Sequence, residues 1–282
     1  MNILVTGGSG RIGRYVVRDL VAAGHTVTNA DLAPSPGLPG GFLRVDLTDP
    51  GDVYQALAYT KSQAVVHLGA WANAGVVPDT RTYGDNVRGA FTLFQACADL
   101  NIKRIVNASS AQVYGFAQAA PSYLPVDEDH PFRPCNSYAA AKVAAEVAAE
   151  YFIQQFGLNI LSFRFMGVRM PNEIAGEIEA MAADPASGSW LLWTRTDARD
   201  AAQACRLAVE ATGVPSGPYN ITGARVVLDH PAAELVATHF GADLEIRGLD
   251  GYNSPLDCSR AQQAFGYQPR YVWTQTQQHP EA

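Results

Sequence analysis

Apolar positions in the first two-thirds of the chain form short runs separated by longer amphipathic stretches. The runs Ile3–Val5, Thr26–Ala30, Phe42–Val45, Ala64–His67, Arg104–Asn107 and Ile160–Phe165 are short and rich in β-branched residues, as strands are. Residues 11–23, 50–59, 85–101 and 136–156 instead repeat apolar positions at helical spacing. Strands alternating with helices predict βαβ units, and so an α/β fold with a doubly wound parallel sheet covered on both faces. Beyond residue 166 the rhythm is irregular, with helices expected near 173–183, 198–211, 230–240 and 259–265 and strands near 189–193 and 218–221. The pattern divides the chain into a sheet domain, 1–166, and a small substrate-binding portion, 167–282, from which 198–222 returns to the sheet domain. The smaller part is expected to fold over the C-terminal edge of the sheet. The tail Gln275–Ala282 is expected to be disordered.

Composition narrows the class. Of 282 residues, 48% are hydrophobic and 17% charged, and the net charge is −7, which excludes the basic face that nucleic acid or an anionic membrane would require. No apolar run is long enough to span a bilayer and the first strand starts at residue 2, so a cytoplasmic location is expected. Cys97, Cys135, Cys205 and Cys258 are scattered, without the paired spacing of a zinc site or a disulfide framework. No metal site is expected.

The loop after the first strand reads Thr6-Gly-Gly-Ser-Gly-Arg-Ile-Gly13. Its glycines satisfy two spacings, Gly8-x-Gly10-x-x-Gly13 and Gly7-x-x-Gly10-x-x-Gly13. A strand, a glycine turn and a helix N-terminus together bind a pyrophosphate: glycine lets the backbone approach, and free N–H groups with the helix dipole attract the anion. Asp31 ends the second strand about 20 residues on, where a carboxylate receives the ribose hydroxyls and repels a 2′-phosphate. NAD is thereby favoured over NADP, with Arg11 and Arg14 leaving some tolerance for the latter. Asp46 and Leu47 follow the third strand; Asp46 either lines the adenine pocket or caps the next helix.

Tyr138 and Lys142 stand at i and i+4 on one helix face, kept clear by three alanines. A free tyrosine has a pKa near 10, and a neighbouring ammonium favours its phenolate, which lets it act as a base at neutral pH. Asn107-Ala-Ser-Ser-Ala-Gln-Val-Tyr-Gly115 follows the fifth strand at the sheet edge where ligands bind, offering Ser109 and Ser110 hydroxyls to a carbinol oxygen.

Together these motifs resemble the extended short-chain dehydrogenase/reductase superfamily, which contains nucleotide-sugar epimerases and dehydratases and has a Rossmann fold. The resemblance runs through residues 2–166 and selects the Gly7, Gly10, Gly13 register. It implies Ser110, Tyr138 and Lys142 as catalytic residues. For the cofactor it implies Gly7, Gly10, Arg11, Ile12, Gly13, Asp31, Asp46, Leu47, Leu68, Gly69, Ala70 and Asn86, with Tyr138 and Lys142. Ser109, Ser110, Gln112 and Arg164 are the candidate substrate contacts.

Three departures bear on the reaction. Ala111 and Gln112 occupy the positions of the Asp-Glu pair that nucleotide-sugar dehydratases use to eliminate water. The stretch from Gly167 to Arg195 is short for a nucleotide-diphosphate grip, and Trp190 and Trp193 stand there instead. The compact build resembles members that oxidise sugars or sugar acids, with Arg164 as a carboxylate clamp. The expectation is an NAD-dependent oxidoreductase of a sugar or sugar-acid hydroxyl. A nucleotide-sugar 4-epimerase with tightly bound NAD is the alternative, and a non-catalytic cofactor sensor is a third. A homodimer through the helices at 85–101 and 136–156 is expected.

Overall fold

The computed structural model describes residues 1–241 and 243–280. In chain order it contains β1 Asn2–Thr6, α1 Gly13–Ala22, β2 Thr26–Asp31, β3 Gly41–Arg44, α2 Pro50–Thr60, β4 Ala64–His67, α3 Asp79–Asp99 and β5 Arg104–Ser110. There follow β6 Tyr123–Leu124, α4 Ser137–Phe156, β7 Asn159–Phe165, β8 Val168–Arg169, α5 Pro171–Ala183, β9 Thr196–Asp197 and α6 Ala198–Glu210. Last come β10 Gly217–Ile221, α7 Ala232–Phe240, β11 Glu245–Ile246 and α8 Ser259–Phe265.

Seven strands form one sheet in the order β10-β7-β5-β4-β1-β2-β3. The pairs β1–β2, β1–β4, β2–β3 and β4–β5 are parallel, with Thr6 opposite Ala30 and His67 and with His67 opposite Asn107. The order reverses between β1 and β4, the switch point at which doubly wound sheets bind their ligands. This is the doubly wound α/β fold that the alternation of strands and helices implies.

The chain divides into two compact units. Unit 1 comprises Met1–Ser109, Asn136–Phe163 and Ala202–Pro218. Unit 2 comprises Ser110–Cys135, Arg164–Ala201 and Tyr219–Ala282. Residues 110–135, expected with the sheet domain, cluster with unit 2, where Arg164 donates to both Tyr114 OH and Glu128 O. Residues 202–218 belong to unit 1.

In unit 1 the face bearing Leu4, Val65, Ile105 and Ile160 packs on Phe94 of α3 and Phe152 of α4, all at most 1% exposed. Alternation turns Ile3 and Val5 to the opposite face. On α6, Arg206 pairs with Asp19 of α1 at 2.8 Å. Helix α4 starts where Asn136 Oδ1 accepts from Ala139 N at 2.8 Å, and ends at left-handed Gly157, whose N–H returns to Ile153 O.

Unit 2 has shorter elements. The apolar run Trp190–Trp193, expected within a strand, forms a 3₁₀ turn over Pro185–Leu191, and Leu192 and Trp193 take left-handed backbone conformations. Trp193 is fully buried, donating Nε1–H to Pro185 O at 2.7 Å and lying beside Phe240, so it fills the core of unit 2. A short apolar run has no period that separates strand from turn.

The tail also departs from expectation. Asp229 N donates to Gln275 Oε1 at 2.7 Å and Arg199 Nη2 to His279 O at 2.6 Å, which orders the segment through residue 280. Glu281 and Ala282 lie outside the described residues. Among the described residues no helix is long and apolar enough to cross a membrane.

Candidate active site

The glycine loop is built by close backbone approach. Gly7 has φ +66°, and a Cβ there would lie 2.7 Å from Gly69 Cα and 2.9 Å from the Leu68 carbonyl carbon. A Cβ on Gly13 would lie 2.1 Å from Gly7 O and 2.6 Å from Gly8 Cα. Either side chain would push the turn apart, so Gly7 and Gly13 are structural requirements, and the loops after β1 and β4 touch along their backbones. Gly8 is small for another reason: its Cβ would meet buried Asn29 Oδ1 at 2.4 Å.

Ser9 pins the loop to the end of β2. Its N–H donates to Asp31 Oδ2 at 3.0 Å, its hydroxyl donates to Ala33 O at 2.6 Å, and Asn29 Nδ2 donates to that hydroxyl at 2.8 Å. Asp31 Oδ1 accepts from Leu32 N at 2.7 Å. A carboxylate accepts about four hydrogen bonds, so the half-buried Asp31 retains capacity for two vicinal hydroxyls. The glycine turn, the α1 N-terminus and this oriented carboxylate fit a dinucleotide. Arg11 and Gly10 are exposed beside them, and Ile12 is the first residue flanking α1.

Several expected cofactor residues act on the protein itself. Asp46 Oδ1 accepts from Thr48 N at 2.9 Å and Thr48 Oγ1 at 2.7 Å, bonds that hold its carboxyl below the usual range. Asp49, not Asp46, caps α2, accepting from Gly51 N at 2.7 Å. Leu47 fills the space that Gly69 and Gly89 leave, 2.4 Å and 3.2 Å from their hypothetical Cβ atoms. Asn86 accepts from Trp71 N at 2.8 Å and donates to Trp71 O at 3.1 Å, clamping the segment that follows Leu68-Gly69-Ala70. Its amide is therefore engaged with the Trp71 backbone.

Beneath that loop lies a buried polar row. Thr6 Oγ1 and His67 Nδ1 are 2.7 Å apart, and Thr6 Oγ1 also accepts from Gly69 N at 3.1 Å. Full burial with the Lys142 charge nearby lowers the His67 pKa to about 3, so the imidazole is neutral. Across β5, Asn107 Nδ2 donates to Ser162 Oγ at 3.2 Å.

Tyr138 and Lys142 stand on the buried face of α4, 9% and 7% exposed. Lys142 Nζ lies 5.5 Å from the Tyr138 ring centroid and donates to Ala108 O at 2.6 Å. Burial lowers its pKa to about 8, opposed by the Glu146 charge. Ser109 Oγ donates to Glu146 Oε1. Thus Gly7, Gly13, Asp31, Leu68, Gly69, Asn86, Ser109, Tyr138 and Lys142 all belong to unit 1.

Ser110, Gln112 and Arg164 belong to unit 2. Ser110 Oγ accepts from Gln112 N at 3.2 Å, capping the turn Ala111–Tyr114, and its O–H remains a donor. Arg164 is 2% exposed. Its Nη1 donates to Tyr114 OH at 2.9 Å and Glu128 O at 2.8 Å, and its guanidinium lies 4.8 Å from the Phe132 ring centroid. These bonds tie Arg164 to the 110–135 segment of unit 2. Arg169 and Arg195 both pair with Glu177, the latter at 2.6 Å.

Sequence reasoning assigned no role to Thr6, His67, Trp71 or Glu146. For Glu146 a signal existed: it stands one turn beyond Lys142. Thr6 and His67 meet only through strand register.

The family model for the NAD dependent epimerase/dehydratase family matches residues 3–222. A UDP-glucose 4-epimerase of Lactobacillus helveticus is 33% identical over 180 residues, 60% of this chain and 52% of that protein. The chain thus spans about half the length of such curated relatives. Among solved structures, a short-chain dehydrogenase/reductase superfamily protein from Agrobacterium tumefaciens with bound NAD is 25% identical, with TM-score 0.74, covering 95% of this chain and 92% of that one. The Thermus thermophilus UDP-glucose 4-epimerase complex with NAD is 26% identical, with TM-score 0.66, covering 96% and 94%.

Proposed function

The chain belongs to the NAD dependent epimerase/dehydratase family, and from that membership we propose that it is an NAD-dependent oxidoreductase acting on a secondary hydroxyl of a sugar-class substrate. Bound NAD supplies the hydride acceptor. The observation that carries the reading is the buried Tyr138–Lys142 pair, with the ammonium 5.5 Å from the ring and anchored on Ala108 O. The Lys142 ammonium stabilises Tyr138 as a phenolate, and the phenolate takes up the hydroxyl proton to become a phenol. Ser110 donates its hydroxyl hydrogen to the substrate oxygen, with Gln112 as a further contact, while the Ser109 hydroxyl is held by Glu146. Gly7, Gly10 and Gly13 receive the pyrophosphate and Asp31 the ribose, which favours NAD over NADP.

Whether the hydride returns to the substrate separates two readings. The relatives are named UDP-glucose 4-epimerases, which favours return and inversion at the same carbon. One observation in unit 2 favours net oxidation of a non-nucleotide sugar or sugar acid. Arg169 and Arg195 share Glu177, which neutralises much of the charge a diphosphate would need. Incubation with NAD and free sugars, sugar acids or nucleotide sugars decides the matter. Stoichiometric reduced nicotinamide supports the dehydrogenase, isomerised product without it supports the epimerase, and neither product from any substrate rejects both.

A homodimer is proposed through α3 and α4, where Phe91, Val147 and Tyr151 are 44%, 63% and 47% exposed. A monomer mass by light scattering at micromolar concentration rejects it.

A further inference from the structure

Tyr138, Lys142 and Glu146 follow one another at single-turn spacing along α4, and the proposed reaction uses only the first two. Lys142 and Glu146 grip consecutive residues of β5: Lys142 Nζ donates to Ala108 O at 2.6 Å and Ser109 Oγ donates to Glu146 Oε1. Both contacts immediately precede Ser110 in the chain. Lys142 is 7% exposed, and its ammonium donates to a neutral carbonyl. Such burial favours loss of its proton, which would remove the cation from Tyr138. The groups facing Lys142 are Tyr138 and Glu146 on α4 and His67 on β4, with the Ala108 carbonyl and Ser109 hydroxyl on β5. His67 is neutral, so the negative charge among them at neutral pH is that of Glu146.

We propose that Glu146 is a positioning residue for the reaction inferred above: its carboxylate keeps buried Lys142 an ammonium and ties Ser109 to α4, fixing the strand end that leads to Ser110. The inference rests on the Tyr138–Lys142 reading of the site. It assigns the two tasks to one side chain, and they separate experimentally. Glu146→Gln removes the charge and retains an acceptor for Ser109, whereas Ser109→Ala removes the hydrogen bond and retains the charge.

The chain has three lysines, Lys61, Lys103 and Lys142. Protein labelled with ¹³C in its lysine side chains therefore gives three resonances, assigned with Lys61→Arg and Lys103→Arg. In Glu146→Gln the Lys142 titration midpoint falls by about one pH unit, and the pH profile of kcat moves with it. In Ser109→Ala the midpoint stays in place while kcat falls several-fold at unchanged KM. An unmoved midpoint in folded Glu146→Gln overturns the electrostatic role, and full activity in Ser109→Ala overturns the clamp. If Glu146→Gln does not fold, Glu146→Asp is titrated instead: its shorter stem lowers the midpoint by a smaller step, and no change overturns the proposal. The titration needs neither cofactor nor substrate. A shifted midpoint in a protein that converts no sugar would reject the reaction and leave the Glu146–Lys142 coupling standing.

Discussion

Units 1 and 2 both bury cations, and they do so in different ways. In unit 1, Lys142 lies on one helix face between Tyr138 and Glu146, and its partners are a helical turn away or on the adjoining end of β5. In unit 2, Arg164 is enclosed by Tyr114, Glu128 and Phe132, which come from a segment far away in the chain. The first arrangement is written in local spacing, and the second exists only after distant segments have folded. Lysine also loses its proton under burial far more readily than arginine, whose guanidinium stays charged. A buried lysine therefore suits proton chemistry, and a buried arginine suits rigid hydrogen bonding.

The largest effect that can break this contrast is on catalysis. Tyr138→Phe should lower kcat by about 10²- to 10⁴-fold, the range of a lost general base. NAD affinity and thermal stability should stay close to those of the parent, since the ring remains packed on α4. Full turnover by Tyr138→Phe on every substrate would remove the chemistry from unit 1.

That contrast also explains what could be read from the chain. Tyr138 and Lys142 are visible because helical periodicity alone puts them on one face, and Gly7 and Gly13 because a strand and a helix flank them at fixed distance. The sheet was visible in its alternation of strands and helices. The partners of Arg164 were not visible, because they depend on where 110–135 packs and no local pattern reports that. Trp190–Trp193 was misread as a strand because a short buried run carries no period. His67 stood within a noticed motif without a role, since its meeting with Thr6 requires β1–β4 register.

Acid should separate the units next. His67 has its pKa depressed to about 3 in the fold, against about 6.5 when unfolded. The unfolded chain then binds the proton more tightly, so this contribution to stability is complete above pH 6.5 and is lost as pH falls toward 3. The slope is about 1.4 kcal/mol per pH unit, or about 3 kcal/mol between pH 6.5 and 4.5. His130 in unit 2 adds the same sign, because burial lowers its pKa and its Nε2 accepts from Ser122 N at 2.8 Å. Urea unfolding at pH 7.0, 5.5 and 4.5 measures the slope. His67→Gln should flatten it, and an unchanged slope would mean that His67 does not remain neutral in the fold.

Arg164→Met tests the opposite side of the comparison at smaller amplitude. It leaves Tyr114 OH and Glu128 O each short of a donor, at about 1–3 kcal/mol. Thermal melting should drop by several degrees, and hydrogen exchange should quicken around 113–133 before it does in β1 or β4. A stable variant with tenfold higher KM for anionic sugars alone would make Arg164 a substrate clamp.

The smallest effect concerns Asn86, which joins two elements of unit 1 by a reciprocal pair of hydrogen bonds to Trp71. Asn86→Ala removes both and leaves two backbone groups to find water, at about 1–2 kcal/mol. The Leu68–Ala70 segment should then move more freely against Gly7, weakening NAD binding by a few-fold without altering the preference over NADP. Asn86→Asp retains the acceptor for Trp71 N and sets a carboxylate against Trp71 O, so it should behave no better than alanine. If Asn86 instead touched the cofactor, its loss would weaken NAD and leave the melting temperature unchanged. Isothermal titration and thermal melting on the same two variants distinguish these outcomes, because a clamp moves both quantities together and a direct contact moves only the first.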